Sequence, residues 1–454
     1  MNDAAKEINN VERITVVSHL DADGISAAAV VLSSLTRLGK KIHISIARQV
    51  KPEIIEALKK EDTDLFLFTD LGAGYLDMLD DLNKSTGKKI IVADHHLPSP
   101  PGEYPNIIHI NPHLIGKEEN EISGAGVAYL LAKKLDPRNI DLSYLAIVGA
   151  IGDMQDEGWK MKGLNTEIAN EAIEFGVLKK ENGIRLFGRM NRPVHKALEY
   201  STDPYIPGIT GNESAAIQFL STIGIELKRD GKWKTLNDLS EDEMKKLASA
   251  IICERIREKE SDPEEIFGEN YTIRFNGSDF DAREMATSLN ACGRMSQHSL
   301  GILSALGIKS ALERLDGVLS GYRKIITKYI KWVKENEEKI RKTKNAYYVI
   351  AGDQIHENFI GTIMSICEKS SILNDGRVVF GFANTESGEV KISARAPKEL
   401  VDRGLSLKDL FEEITKKYGS YGGGHHAAAG AFIPMGKEKE FINTCENYLE
   451  DKLK

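Results

Sequence analysis

Short apolar runs alternate with helix-patterned stretches through the first 110 residues, and this rhythm leaves few folds open. Arg13–Ser18 (RITVVS), Lys41–Ala47 (KIHISIA), Asp64–Thr69 (DLFLFT), Lys89–Ala93 (KIIVA) and Ile107–Ile110 are strand-like. Between them Gly24–Leu38 is rich in Ala, Leu and Val and stops at Gly39, and Ile54–Lys60 has a helical pattern. A glycine just past the last helical residue is a usual helix stop. Runs this short and this apolar suit strands buried on both faces. Strand–helix alternation then predicts a Rossmann-like parallel sheet with helices on both sides, an α/β fold.

At 454 residues the chain exceeds what one core usually serves. The first domain is expected over residues 1–162. Residues 163–310 read as a helical middle region, dense in charge around Glu241–Glu264. Leu312–Ile340 reads as one long helix within a connecting stretch, 311–344. Tyr322, Ile325, Ile326, Tyr329, Val333 and Ile340 recur at helical spacing, and Arg323, Lys324, Lys328, Lys331 and Lys334 read as a solvated face in preference to a nucleic-acid track. Strands return in AYYVIAG, RVVFGFA and EVKISARA, so a smaller α/β domain is expected over 345–454.

Composition excludes several classes. No apolar run is long enough to span a bilayer, and the first residues, MNDAAKEINN, lack the apolar stretch of a signal peptide, so a cytoplasmic protein with no membrane partner is expected. Cys253, Cys292, Cys367 and Cys445 are scattered without a CxxC pair, which argues against a zinc ribbon or a disulfide framework. The net charge of −8 means that any nucleic-acid site must concentrate its cations locally.

Four segments carry chemistry: His19-Leu20-Asp21-Ala22-Asp23-Gly24, Thr69-Asp70-Leu71-Gly72, Asp94-His95-His96 and Gly149-Ala150-Ile151-Gly152-Asp153. Each follows an apolar run read as its own strand. Ligands of an open parallel sheet bind beyond the carboxyl ends of its strands, so the four segments are expected to converge. Alone, Asp21 or Asp23 reads as a helix cap and His95 as a core histidine. Together, converging carboxylates repel unless a cation sits among them. Asp/His donors without thiolate suit Mn²⁺, with Mg²⁺, Co²⁺ or Zn²⁺ as alternatives, and the donors suffice for two ions sharing a carboxylate. A metal pair is a usual tool for phosphodiester attack. In the C-terminal part, Gly419-Ser420-Tyr421-Gly422-Gly423-Gly424-His425-His426 reads as a Gly-rich loop whose N–H groups can approach an anion.

HLDADG, TDLG, ADHH and GAIGD resemble the four ordered motifs of the DHH phosphoesterase superfamily. GGGH-x-x-A-x-G and Ser393-Ala394-Arg395 resemble its associated C-terminal domain, and Asn290-Ala291-Cys292-Gly293-Arg294 resembles the N-A-x-G-R element of RecJ-type nucleases. The resemblance implies that His19, Asp21 and Asp70 hold one metal and that Asp23, Asp70, His95 and Asp153 hold the second. It implies that Asp70, His95 and His96 act at the phosphate with Asp94 in support. Asn290, Arg294, Arg395, Gly423, Gly424 and His425 would contact substrate. The length and middle region resemble archaeal RecJ-like proteins, including those associated with the GINS replication complex. The implied activity is a two-metal exonuclease on single-stranded DNA or RNA in replication or repair. The alternatives are a phosphodiesterase for short oligonucleotides or cyclic dinucleotides, and a non-catalytic replisome scaffold.

Overall fold

The computed structural model describes residues 1–99, 102–118, 120–201, 203–258, 262–275, 277–370, 372–373, 375–418 and 422–453. Its contacts divide the chain into two compact units, Met1–Leu319 and Ser320–Lys454.

The first unit opens with α1 (Asn2–Asn10), β1 (Arg13–His19), α2 (Ala22–Arg37), β2 (Lys41–Ala47), α3 (Pro52–Leu58), β3 (Leu65–Thr69), α4 (Leu76–Thr86), β4 (Lys89–Ala93) and β5 (Ile107–Ile110). All four strand pairings are parallel, in the order β2-β1-β3-β4-β5. β3 is buried at every position. Alternation sorts its side chains: Phe66 and Phe68 join the core that contains Leu76, Leu79 and Leu82 of α4. Leu65 and Leu67 join the core formed with α2 on the other face. Covering both faces is what makes the strands read as unbroken apolar runs. Chain order leaves β1 toward β2 on one side and resumes at β3 on the other, so the sheet's topological switch lies between β1 and β3.

The α2 face is completed by α5 (Gly124–Leu135) and α6 (Ser143–Gly152). The middle region then carries α7 (Gly163–Phe175), β6 (Leu178–Ile184), α8 (Val194–Glu199), α9 (Glu213–Thr222), the hairpin β7 (Lys228–Arg229) and β8 (Lys232–Trp233), α10 (Glu241–Arg257), β9 (Phe267–Phe275), β10 (Ser278–Asp281), α11 (Ala282–Arg294) and α12 (His298–Ala305). It is helical, as expected, but it also holds an antiparallel sheet in the order β10-β9-β6. The sequence hides β6 because LKKENGI buries only its two ends, leaving no alternating pattern. Val194, Leu198, Ile206, Leu220, Leu247 and Ile251 belong to a separate small core, whereas Met285, Leu289 and Cys292 of α11 join the main core under α2.

The long helix α13 spans Lys309–Glu335 and ends before the expected Ile340. Asn336 leaves helical geometry and donates its amide to the Trp332 carbonyl at 2.8 Å, which satisfies a terminal acceptor and stops the helix. Along α13 Val333 is buried, Tyr322, Ile325, Ile326 and Tyr329 are half-buried, and Arg323, Lys324, Lys328, Lys331 and Lys334 are exposed.

The second unit begins within α13 and continues through β11 (Ile340–Lys342), β12 (Ala346–Gly352), α14 (Glu357–Lys369), β13 (Val378–Asn384), β14 (Glu389–Arg395), α15 (Lys398–Asp402), α16 (Leu407–Tyr418), β15 (Gly422–Gly424), β16 (Ala428–Pro434) and α17 (Glu438–Lys452). It is a smaller α/β domain whose sheet runs β11-β12-β13-β14-β16-β15. Tyr348, Phe380, Phe411 and Phe441 belong to its core, with Tyr348 and Phe380 stacked at 5.0 Å between ring centroids. Among the described residues no helix is long and apolar enough to cross a membrane.

Candidate metal centre

Three neighbouring parallel strands end in the predicted chemistry. β1 ends at His19, Asp70 follows β3, and Asp94 and His95 follow β4. All stand at the carboxyl edge beside the topological switch. The ends of β1 and β3 are tied by the Thr69 hydroxyl, which donates to Ser18 Oγ at 2.9 Å, while the Ser18 hydroxyl donates to the Gly24 carbonyl at 2.7 Å. Asp21 caps α2, its Oδ1 accepting the Gly24 N–H at 3.0 Å. Asp23, one residue into that helix, accepts the N–H groups of Gly124 (2.6 Å) and Ala125 (2.9 Å) from the first turn of α5. Asp70 adopts φ +53°, an uncommon conformation that aspartate tolerates better than most residues.

The fourth segment corrects an expectation. Asp153 follows a helix, α6, and not a strand. Residues 143–151 are all buried. A helix buried all round loses its amphipathic period and reads as a strand. Asp153 still reaches the cluster, because α6 packs on α2 and delivers its C-terminal end to the same edge.

Asp70 is central. Its Oδ2 lies 3.6 Å from His19 Nδ1, and its Oδ1 lies 3.4 Å from His95 Nε2. His19 Nδ1 is 2.9 Å from Asp21 Oδ2. His95 Nε2 lies 3.7 Å from Asp153 Oδ2 and 3.8 Å from Asp23 Oδ2. The groupings His19/Asp21/Asp70, Asp23/His95/Asp153 and Asp70/Asp94/His95/His96 each bring donor atoms within 4.8 Å of one another. His96 is half-exposed. Asp94 holds it, with Oδ1 2.8 Å from His96 Nδ1, while Asp94 Oδ2 accepts the Ala73 N–H at 2.8 Å.

The electrostatics ask for a cation. Burial and the charge of Asp70 hold the Asp23 carboxyl well above its ordinary range. Burial also raises Asp153, opposed by His95 and assisted by Asp21 and Asp70. Burial works against the protonated His19 and His95, yet the surrounding carboxylates outweigh it and raise both well above the usual imidazole value. Asp94 is shifted the other way: burial is overcome by His96 and its hydrogen bonds, and the carboxyl is held well below its ordinary range. Both oxygens of Asp70 are buried and accept no hydrogen bond. A carboxylate so placed is costly unless something positive meets it. Donors of oxygen and imidazole type without sulfur fit hard or borderline divalent cations. The acidic and histidine clusters can therefore hold metal ions.

Close packing holds the carboxylates where they are. A side chain at Gly149 of α6 would run into Asp23 Oδ1 and lie 2.6 Å from the Ala125 side chain. The donors Gly124 and Ala125 were not singled out from sequence, although the small-residue run Ser123-Gly124-Ala125-Gly126 is a visible sign of close backbone approach. Gln155 and Asn165 were also missed. Their signal is tertiary only.

The remaining predicted residues divide between the units. In the first, the Asn290 carbonyl oxygen accepts the Ala22 N–H at 3.0 Å, so Asn290 supports the start of α2. A side chain at Gly293 would collide with the Leu20 carbonyl. The Asn290–Arg294 stretch of α11 therefore packs directly on the His19–Gly24 segment, with Arg294 half-buried. In the second unit Arg395 ends β14 and donates from Nε to Ser365 Oγ at 2.6 Å and from Nη1 to the Ala394 carbonyl at 2.7 Å. Gly423 and Gly424 lie in β15, an edge strand paired with β16, and are not part of a loop. His425 is exposed in the turn that follows. Gly419, Ser420 and Tyr421 lie outside the described residues.

The chain matches the DHH family N-terminal domain over residues 13–150, the DHH-CID domain over 186–265 and the DHHA1 domain over 343–451. An uncharacterized protein of Methanocaldococcus jannaschii is 33% identical, the match covering 99% of this chain and 96% of that protein. The single-stranded-DNA-specific exonuclease RecJ of Thermus thermophilus is 30% identical over 206 residues, which is 41% of this chain and 29% of that enzyme. Among solved structures, Thermus thermophilus RecJ in complex with Mn²⁺ has a TM-score of 0.59 at 18% identity, covering 99% of this chain and 54% of RecJ. CDC45 of Entamoeba histolytica has a TM-score of 0.63 at 11% identity, covering 98% and 96%. At those identities the structural likeness is one of fold.

Proposed function

The chain belongs to the DHH superfamily of metal-dependent phosphoesterases as a RecJ-like member, and from that premise we propose that it is an exonuclease. Its substrate would be single-stranded DNA, RNA or both, hydrolysed at phosphodiester bonds during replication or repair. The observation that carries the reading is the gathering of two histidines and three aspartates around the buried carboxylate of Asp70, whose oxygens accept no hydrogen bond.

His19, Asp21 and Asp70 would hold one divalent cation, and Asp23, Asp70, His95 and Asp153 the second, with Mn²⁺ the preferred ion and Mg²⁺, Co²⁺ or Zn²⁺ as alternatives. When bound, such a pair supplies the Lewis acidity that activates water and offsets charge on the scissile phosphate. The chain's own groups do the rest. Asp94 accepts from His96 Nδ1, which leaves His96 Nε2 free to point a proton at a phosphate oxygen. Burial and the repulsion of His95 oppose that proton, but the Asp94 carboxylate raises the His96 pKa and favours keeping it. Asn290 and Gly293 hold the first motif in register, and Arg294 would contact the substrate backbone beside it. Arg395, Gly423, Gly424 and His425 are proposed as substrate contacts on the family resemblance alone, Arg offering a fixed charge and a planar fork.

The test is Asp70→Ala, assayed on single-stranded DNA and RNA labelled at either end, with Mn²⁺. Cleavage should be lost, and unchanged cleavage would overturn the assignment. Turnover of a dinucleotide against a long strand separates the exonuclease from an oligonucleotide or cyclic-dinucleotide phosphodiesterase. The likeness to CDC45 keeps a replisome scaffold as the second reading, but every ligand position of the four motifs is filled, which favours catalysis. GINS is proposed as a partner and a cytoplasmic location as the setting, both on the family resemblance, and co-purification with GINS tests the former.

A further inference from the structure

Two buried carboxamides stand behind the metal centre, and nothing in the reading above uses them. Asn165 lies in α7 and is fully buried, and Gln155, just past α6, is 6% exposed. Burying an amide side chain is unfavourable unless its donors and acceptors are met, so each needs a reason to be there. The Ser123 N–H donates to Asn165 Oδ1 at 3.3 Å. Asn165 Nδ2 donates to Gln155 Oε1 at 2.7 Å. Gln155 Nε2 in turn donates to Asp153 Oδ2 at 2.9 Å and lies 3.2 Å from His95 Nδ1.

The direction of this chain of bonds is set at one end. A backbone N–H can only donate, so the Asn165 atom facing Ser123 must be its oxygen. The Asn165 NH₂ therefore faces Gln155, whose oxygen must lie there, and the Gln155 NH₂ is left for the Asp153 carboxylate. Ser123 is also the N-cap of α5, whose next two amides grip Asp23. One helix start thus holds Asp23 directly and holds Asp153 through two amides.

We propose that Gln155 and Asn165 are positioning residues that orient Asp153 toward the cation bound with Asp23. This rests on the metal reading above. Groups behind metal ligands typically change metal affinity by roughly 10–100-fold when removed.

The experiment measures Mn²⁺ binding to the full chain by calorimetry and by the Mn²⁺ electron paramagnetic resonance spectrum, for wild type, Gln155→Met, Asn165→Ser and Asp70→Ala. Gln155→Met keeps length and volume while deleting the amide. It should weaken Mn²⁺ binding roughly 10–100-fold and alter the spectrum. The Mn²⁺ concentration for half-maximal cleavage should rise, with kcat at saturating Mn²⁺ changed far less. Asn165→Ser touches no proposed ligand and should shift binding in the same direction by a smaller factor. If Gln155→Met fails to fold, Asn165→Ser alone decides: an unchanged affinity and spectrum there overturns the relay. Wild-type affinity in both variants, with binding lost in Asp70→Ala, overturns the relay and leaves the metal centre standing. Absence of Mn²⁺ binding in wild type overturns the metal reading itself.

Discussion

Gly149→Ala isolates the packing of the centre from its chemistry, because the structure sets two effects of opposite sign against each other. In an open helix, replacing Gly by Ala stabilises by roughly 0.5–1 kcal/mol through lower backbone entropy in the unfolded chain. Gly149 lies inside α6, so that gain is present. The added methyl, however, would overlap Asp23 Oδ1 and lie 2.6 Å from the Ala125 Cβ. Carbon contacts relax at about 3.5–4.0 Å, so α5 or α6 must move by roughly 1 Å. Neither yields easily, since α2, α5 and α6 share one buried core and Asp23 is pinned by two α5 amides. Overpacking of this kind costs about 1–3 kcal/mol, which exceeds the propensity gain. A net loss of about 1–2 kcal/mol should lower the Tm of the first unit by roughly 2–4 °C. Gly317→Ala is the control. It lies exposed in α13, with nothing near a new side chain, and should raise stability by roughly 0.5–1 kcal/mol. The assay is thermal unfolding followed by circular dichroism, with Mn²⁺ titrated into each folded variant. Gly149→Ala should weaken Mn²⁺ binding and Gly317→Ala should not. If Gly149→Ala raises Tm as Gly317→Ala does and binds Mn²⁺ normally, the packing argument is wrong.

Two further outcomes follow from features away from the centre. Burial pushes the thiols of Cys292 and Cys367 up to about 12 and Cys445 well above its usual value, while Cys253 is exposed; an aromatic disulfide reagent at pH 8 should label Cys253 rapidly in the native chain and the other three only on unfolding, and rapid labelling of a second cysteine would contradict the packing around it. Asp64 accepts the Arg13 N–H at 2.9 Å and the Arg13 guanidinium at 3.0 Å, which hold its carboxyl below the ordinary range against a smaller opposing effect of burial. A depressed folded pKa stabilises above the unfolded value and loses that stabilisation as pH falls through the folded one, so Asp64→Asn should cost roughly 1 kcal/mol at pH 7; urea midpoints should show the gap closing in acid, and a gap independent of pH would refute the assignment.

The parallel sheet was legible because it is buried on both faces. β1, β3 and β4 carry no solvent-facing positions in their centres, and the sequence shows them as apolar runs that stop where the chain meets the polar edge. The same rule misled at α6. Its residues are buried on all sides, so its sequence is as apolar as a strand and its period is invisible. β6 failed for the opposite reason, since an edge strand facing solvent along most of its length has no apolar signature. Burial on both faces makes an element visible but ambiguous in type, and burial on neither hides it.

In the site, legibility followed the chemistry of each side chain. Carboxylates and imidazoles at strand ends stand out because such groups are costly to bury and the sheet's edge is a known place to use them. That reasoning applies to His19, Asp70 and His95, each next to its own strand. It cannot reach Ser123, Gln155 and Asn165, which come from three separate elements and meet only when α5, α6 and α7 have packed. An amide carries no charge to flag it, and its meaning depends on which neighbour's N–H fixes its direction. The Ser123 N–H is such a neighbour, and its hydrogen bond to Asn165 exists only in the folded chain. The donors of a metal centre can thus be sought in a sequence, whereas the groups that aim them have to be traced bond by bond from a backbone atom outward.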